Sequence, residues 1–288
     1  MLPATLGSAR NKVATGQSPD ARASLGCACS DNEVVDLGLK DRRAFVAAAS
    51  KGLGFGCAKA LADEGARVFV SSRTEPAIEA AAKKSGAAGW KAADVSKAGE
   101  PEAALKEAIS VLGGLDILVV NSGGPPPGTF QSTPLEAWDT AHGLLLMGAV
   151  RLITTALPAL KKSGQGRIVI ITSITVRQPI PNLILSNSVR AAVTNLAKTL
   201  SLEVGQDGIT VNCLAPDAIL TDRIRQLAGG DEASVERYVK ASAEGSPMRR
   251  MGTPEEFGAV CAFLCSRQAG FVTGQTVGID GGSLMGVH

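Results

Sequence analysis

The sequence predicts an α/β fold, one domain built on a doubly wound parallel sheet of seven strands. Three observations carry this. From residue 42 onward, short runs rich in Val, Ile and Ala alternate with helix-length stretches, the order expected of repeated strand–helix–strand units. The chain is 45% hydrophobic but only 3% aromatic, which suits strands covered by helices on both faces. The first strand runs into a turn of small residues that opens a helix. Residues 37–288 follow this pattern and suffice for one large buried core.

The elements follow in order. Arg43-Ala-Phe-Val-Ala-Ala-Ala49 reads as the first strand, 55–64 as a helix ended by Gly65, and 67–71 as the second strand. A helix over 76–84, a strand over 89–94 and a helix over 100–112 come next. Residues 115–120 form the fourth strand, 134–162 a long helical region and 167–171 the fifth strand. A helix over 185–204 has apolar residues at Val189, Ala192, Val193, Leu196 and Leu200, the spacing of one buried helix face. Strands over 210–214 and 275–279 complete the set.

Composition excludes several function classes. The formal net charge is +2 with no basic block, so nucleic acid is not implied. No uninterrupted apolar run reaches the roughly 18–20 residues that span a bilayer, so no membrane partner is expected. Six cysteines and only two histidines are present. Cys261 and Cys265, four apart on a helix, lack partner ligands for a metal and read as buried apolar residues in a reducing compartment. Residues 1–36, rich in Ser, Ala, Gly and Arg, lack the apolar core of a secretory signal. They read as a flexible or targeting tail, and the expected location is the cytoplasm, with organellar import through that tail left open.

The first strand leads into Ser50-Lys51-Gly52-Leu53-Gly54 and then a helix. Small residues there let the backbone approach a pyrophosphate, and the helix start presents free N–H groups to it. This is the context of a Rossmann-type dinucleotide site. The second strand ends Ser71-Ser72-Arg73 with no acid. An acid there would bond a ribose 2′-hydroxyl, whereas Arg73, with Lys51 as a second cation, suits a 2′-phosphate. The expected cofactor is NADP(H) rather than NAD(H).

With these residues in place, the chain over 37–285 resembles the short-chain dehydrogenase/reductase family, most of all its 3-oxoacyl-carrier-protein reductase branch. Ala47-Ala-Ala-Ser-Lys-Gly-Leu-Gly54 is similar to the family's Thr-Gly-x-x-x-Gly-x-Gly, with Ala48 for the first glycine. Asp94-Val95 resembles the acidic pair at the adenine. The stretch 116–123, ending Val120-Asn121-Ser122-Gly123, resembles the Asn-Asn-Ala-Gly strand, with Val120 for the first asparagine. Leu214 to Thr221, including Ile219, resembles the segment that holds the nicotinamide carboxamide, with Asp217 for glycine, and Ile279-Asp-Gly-Gly282 resembles the last strand.

The resemblance also implies a catalytic Asn-Ser-Tyr-Lys set, and here the chain departs from it. Ser173 matches the serine, but Ser186 stands at the tyrosine, Arg190 at the lysine and Leu145 at the asparagine. A serine hydroxyl is far less acidic than a phenol of pKa about 10, and arginine holds its proton. The family's usual proton path is therefore not expected. Tyr238 is the single tyrosine and falls in the substrate-lid region, about 217–250, where packing is its expected role. His142 is expected on a helix surface. The implied function is an NADP(H)-dependent oxidoreductase acting on a small carbonyl or alcohol substrate, 3-oxoacyl reductase-like, with an atypical site at Ser173, Ser186 and Arg190. The alternative is a catalytically silent NADP(H)-binding sensor or partner subunit. The resemblance further implies a homotetramer or homodimer, joined along the helices at 134–162 and 185–204.

Overall fold

Neighbouring strand residues alternate between two apolar cores. Phe45, Leu118 and Ile170 enter one cluster, whereas Ala44, Ile117 and Val169 enter the other, the period-two pattern of strands buried on both faces. The computed structural model describes residues 35–286, so the expected tail over 1–36, with Cys27 and Cys29, lies almost wholly outside the described residues. Strands β1 (Arg43–Val46), β2 (Arg67–Ser72), β3 (Gly89–Ala92), β4 (Ile117–Val120), β5 (Arg167–Ile171), β6 (Thr210–Pro216) and β7 (Thr276–Ile279) form one sheet. Its order is β3-β2-β1-β4-β5-β6-β7, with every pairing parallel. The strand order reverses between β1 and β4, and ligands in such sheets bind at the carboxyl ends of the strands beside that switch point.

Helices α1 (Gly52–Asp63), α2 (Glu75–Ser85) and α9 (Pro254–Cys265) cover one face, burying Cys57, Leu61, Ile78, Phe257 and Cys261. Helices α3 (Glu100–Leu112), α5 (Gly148–Ser163) and α6 (Ile184–Val204) cover the other through Leu105, Leu152, Leu160, Val193 and Leu200. Cys57, Cys213, Cys261 and Cys265 are free and buried. At the amino ends of the central strands β1 and β4, opposite the site, Arg43 Nε and Nη2 donate to Asp116 at 2.8 and 2.7 Å. Burial opposes ionisation of Asp116, yet Arg43 and the Ser163 hydroxyl hold its carboxyl at about 2.

The long helical region is not one regular helix. Helix α4 (Leu135–Ala141) joins α5 through a π turn at His142–Met147, and Leu145, 4% exposed, sits in that turn. Such π turns insert one extra residue per turn and concentrate at functional sites. By length and composition Leu135–Ser163 is long and apolar enough to cross a membrane, with a mean hydropathy of 1.7 over an 18-residue window. The expectation from uninterrupted runs missed this, because an average tolerates the interspersed His142, Gly143 and Thr residues. Its inner face, 39% of that window, is buried in the fold. The lid region holds α7 (Arg223–Leu227) and α8 (Glu232–Gly245).

Candidate active site

The site is assembled from loops that leave the carboxyl ends of β1, β2, β4, β5 and β6. After β1 the chain does not continue as strand to residue 49. Ala48 turns into the left-handed region at φ 48°, a conformation that costs a non-glycine residue about 1–2 kcal/mol. It stands where the resemblance placed a glycine, so the loop keeps the glycine-type turn despite the substitution. Gly52 takes φ 59°. A Cβ on Gly54 would lie 2.5 Å from the Ala48 carbonyl oxygen and 2.6 Å from Asn121 Nδ2, so only glycine lets α1 start this close to the loop. Asn121, after β4, donates to the Ala48 oxygen at 3.1 Å and fixes the loop from the other side of the switch point. Thr221 approaches the loop closely, since a Cβ on Gly52 would touch its methyl at 3.4 Å. Ser50 and Leu53 are half-buried in the same turn.

Beyond β2, Arg73 is exposed and makes no ion pair among the described residues. Beside it Ser72 is buried at 6% exposure, and its hydroxyl has no hydrogen-bond partner. A buried, unsatisfied hydroxyl next to a free guanidinium fits a ligand oxyanion at this strand end. Asp94, after β3, accepts from Ser96 N at 2.9 Å and Ser96 Oγ at 2.7 Å. Burial works against its charge, but these bonds together with Arg73 and Lys97 hold its carboxyl below the usual carboxylate range. Val95 is buried and its carbonyl abuts Gly148. The Lys51 ammonium is 2.9 Å from Asp222 at the start of α7, and both side chains are largely exposed. The pair ties the lid to the phosphate loop, a contact between residues 171 apart in sequence that local reading cannot foresee. A dinucleotide with a 2′-phosphate thus fits the glycine cradle after β1 and the exposed Arg73 after β2.

Ser173 follows β5 and caps a short turn by accepting from Thr175 N at 3.2 Å. Ser186 and Arg190 lie one helical turn apart on α6, hence on one face. Arg190 Nη1 donates to the Ile171 carbonyl at 3.0 Å, which brings α6 against the end of β5. Asn121, Ser122, Leu145, Gly148, Ile171 and Arg190 surround a cavity of about 10 Å³, close to the space of a single water. Leu145 packs with Ala141, Leu185 and Val189, so apolar contact replaces any polar relay at that position. Gly123 is exposed, and Ile219 is buried and paired with Gly252. Tyr238 on α8 is half-buried, and its own burial together with nearby Asp217 pushes its hydroxyl above the ordinary phenol value, the wrong direction for a proton donor at neutral pH. His142 is exposed.

Arg190 is half-buried with no carboxylate paired to it among the described residues. Burial, with Arg223 adding like charge, pulls its guanidinium down to about 10. The cation is therefore disfavoured in the folded chain at every pH below about 10, and this penalty fades only as pH rises beyond that value. Arg190→Met is expected to stabilise the cofactor-free protein by about 1–2 kcal/mol after allowance for partial solvent access, since an uncompensated charge leaves. Urea unfolding at pH 7 checks this, and a loss of stability would show that Arg190 is structurally satisfied.

Comparison with known proteins follows this geometry. Residues 47–283 match the family model described as enoyl-(acyl carrier protein) reductase. The dehydrogenase/reductase SDR family member 4 of Bos taurus is 34% identical over 251 residues, covering 85% of this chain and 88% of that one. The NADPH-dependent reductase BacG of Bacillus subtilis (strain 168) is 31% identical over 259 residues, covering 86% and 100%. Among solved structures, L-sorbose reductase from Gluconobacter frateurii, complexed with NADPH and L-sorbose, superposes with a TM-score of 0.82 at 31% identity, covering 88% and 100%. YwfH, an NADPH-dependent reductase involved in bacilysin biosynthesis, superposes with a TM-score of 0.80 at 32% identity, covering 85% and 99%.

Proposed function

The chain belongs to the short-chain dehydrogenase/reductase family, and from that premise we propose that it is an NADP(H)-dependent oxidoreductase acting on a carbonyl or alcohol carbon through an atypical proton path. The observation that carries this reading is the β2 end, which closes on the unpaired hydroxyl of Ser72 and the exposed Arg73 and has no acidic residue of its own. Relatives described as NADPH-dependent or solved with NADPH point the same way and favour the enzyme over a silent binder. The bound dinucleotide would supply or accept the hydride.

In this reading, the backbone of Ser50, Gly52, Leu53 and Gly54 cradles the pyrophosphate, with Lys51 bridging to the lid over 217–250. Asp94 and Val95 flank the adenine. Asn121, Ser122 and Gly123 line the dinucleotide's path, and Ile219 and Thr221 hold the carboxamide. Arg190 donates to the nicotinamide ribose. Ser173 and Ser186 direct their hydroxyls at the substrate oxygen. Neither serine is acidic enough to give up a proton readily, so the proton comes from solvent, and this chain forgoes the roughly 10²–10⁴-fold that a positioned general acid supplies. What remains is orientation together with stabilisation of a developing oxyanion by Arg190 and the two hydroxyls. The apolar outer face of Leu135–Ser163 and the exposed Leu202 of α6 form the contact of a homodimer or homotetramer.

Fluorescence titration with NADPH and NADH, followed by a ketone screen that includes a 3-oxoacyl thioester, tests the reading. Tight NADPH, weak NADH and steady turnover of at least one carbonyl compound are expected. Tight binding without turnover of any would leave a silent binder, and binding of neither dinucleotide would remove the cofactor assignment.

A further inference from the structure

Sequence reading singled out Arg190 but passed over Arg223 and the loop it lies on. β4 is followed by Gly123-Gly124-Pro125-Pro126-Pro127, in which proline fixes φ at three successive positions. Arg223 opens α7 and lies against this stiff loop. A Cβ on Gly124 would sit 2.8 Å from Arg223 Nη2, 2.9 Å from Cζ and 3.0 Å from Nε. The guanidinium therefore rests directly on the bare Gly124 backbone. Nη2 donates to the Pro125 carbonyl at 2.6 Å and Nη1 to Gln226 Oε1 at 2.8 Å. Both bonds are to neutral acceptors, and no carboxylate pairs with Arg223 among the described residues.

Arg190 reaches the same end of the sheet from α6, anchored by one bond to the Ile171 carbonyl. The two cations lie within each other's field, as the lowering of Arg190 by Arg223 records. Both are partly withdrawn from water, and burial lowers Arg223 as well. Tyr238 stands near Arg223 and Asp217 near Tyr238; the Asp217 carboxylate accepts from Ser283 Oγ at 2.5 Å and forms no ion pair with either arginine among the described residues. Two partly desolvated guanidinium groups at the ends of the adjacent strands β4 and β5, each bonded only to neutral acceptors and neither paired with a carboxylate among the described residues, suit an anion. In the proposed reading the loop after β1 and Arg73 answer the phosphates of the dinucleotide, whereas Arg223 lies on the loop after β4 and Arg190 against the end of β5, one helical turn from Ser186.

We propose that Arg190 and Arg223 together bind an acidic group on the substrate, so that the enzyme acts on an oxo acid or an oxo phosphate, or on the corresponding hydroxy compound. The proposal rests on the oxidoreductase reading above and names its substrate class. Fixing the anion would also orient the carbonyl toward Ser173 and Ser186, which offsets part of what the missing proton donor costs.

The test uses paired probes on the full chain saturated with NADPH, read by nicotinamide fluorescence. Pyruvate is set against methyl pyruvate, and dihydroxyacetone phosphate against dihydroxyacetone. At least one anion is expected to bind about tenfold or more tightly than its neutral counterpart, and the stronger pair tells carboxylate from phosphate. Arg223→Gln should abolish that preference while leaving the neutral probe and NADPH affinity unchanged, and Arg223→Lys should keep part of it. Anions bound no better than the neutral probes, or not at all, would overturn the proposal. So would an Arg223→Gln variant that loses NADPH affinity as steeply as anion affinity, since Arg223 would then serve the cofactor. Calorimetric titration of the cofactor-free protein with the same anions separates the two readings. Anion binding that needs Arg223 in a protein that ignores NADPH would remove the oxidoreductase reading and retain the anion site.

Discussion

Arg73→Asp is expected to weaken NADPH binding by about a hundredfold while NADH binding stays within about threefold, measured by parallel fluorescence titrations. The size follows from what the residue does. A charge-assisted bond to a phosphate contributes about 1.5–3 kcal/mol, and every 1.4 kcal/mol is tenfold in affinity. Aspartate removes that bond and adds repulsion toward the same group. NADH has no 2′-phosphate, and a carboxylate at the end of β2 is the arrangement that bonds its ribose hydroxyl. Lys51, the second cation read for the phosphate, pairs with Asp222 at 2.9 Å. The Ser72 hydroxyl at the end of β2 stays unpaired. The advantage of NADPH in the unmodified protein should shrink at high salt, since Arg73 is exposed and its field is screened. Equal losses for both dinucleotides would mean that Arg73 supports the fold of the β2 end and does not read the phosphate.

Features set by local pattern were legible in the sequence. β5 and α3 occupy the residues expected of them, because strongly periodic apolar runs leave little freedom in where such elements lie. The loop after β1 and the position of Arg73 after β2 could be placed for the same reason: both are set by a strand and a helix within a few residues. β1 was read three residues too long, because Ala47 to Ala49 are apolar and nothing in their composition reveals that Ala48 adopts a positive φ. The π turn at His142–Met147 was invisible, since one added residue in a largely apolar helix leaves its composition unchanged. Helix α8 buries no residue, so it offers no apolar stripe to read. The long-range contacts of the site were out of reach altogether. Arg223 meets Pro125 across 98 residues, a contact that no local pattern announces.

Ser186→Tyr combined with Arg190→Lys is expected to raise NADPH-driven reduction of a neutral ketone by about a hundredfold in kcat. The two positions share one face of α6, so the new phenol and ammonium would stand side by side. A nearby cation lowers a phenol's pKa toward the working range, which Ser186 cannot reach. The gain should fall within the roughly 10²–10⁴-fold of a general acid, and near its lower end, because Leu145 still fills the position of the relay with apolar contacts. The pH–rate profile distinguishes this from a packing effect. An engineered acid adds a new limb at alkaline pH, whereas improved positioning alone raises the whole curve. Ser186→Tyr alone should give less, since Arg190 is occupied by the Ile171 carbonyl, and Arg190→Lys alone should give nothing. The neutral ketone matters, because an acidic substrate would lose affinity as Arg190 is removed and mask the gain. A folded, NADPH-binding double variant with no increase would mean that proton delivery does not limit this enzyme. Solvent would then serve as the proton source by design, and the arginines at 190 and 223 would carry the work that the phenol does elsewhere in the family.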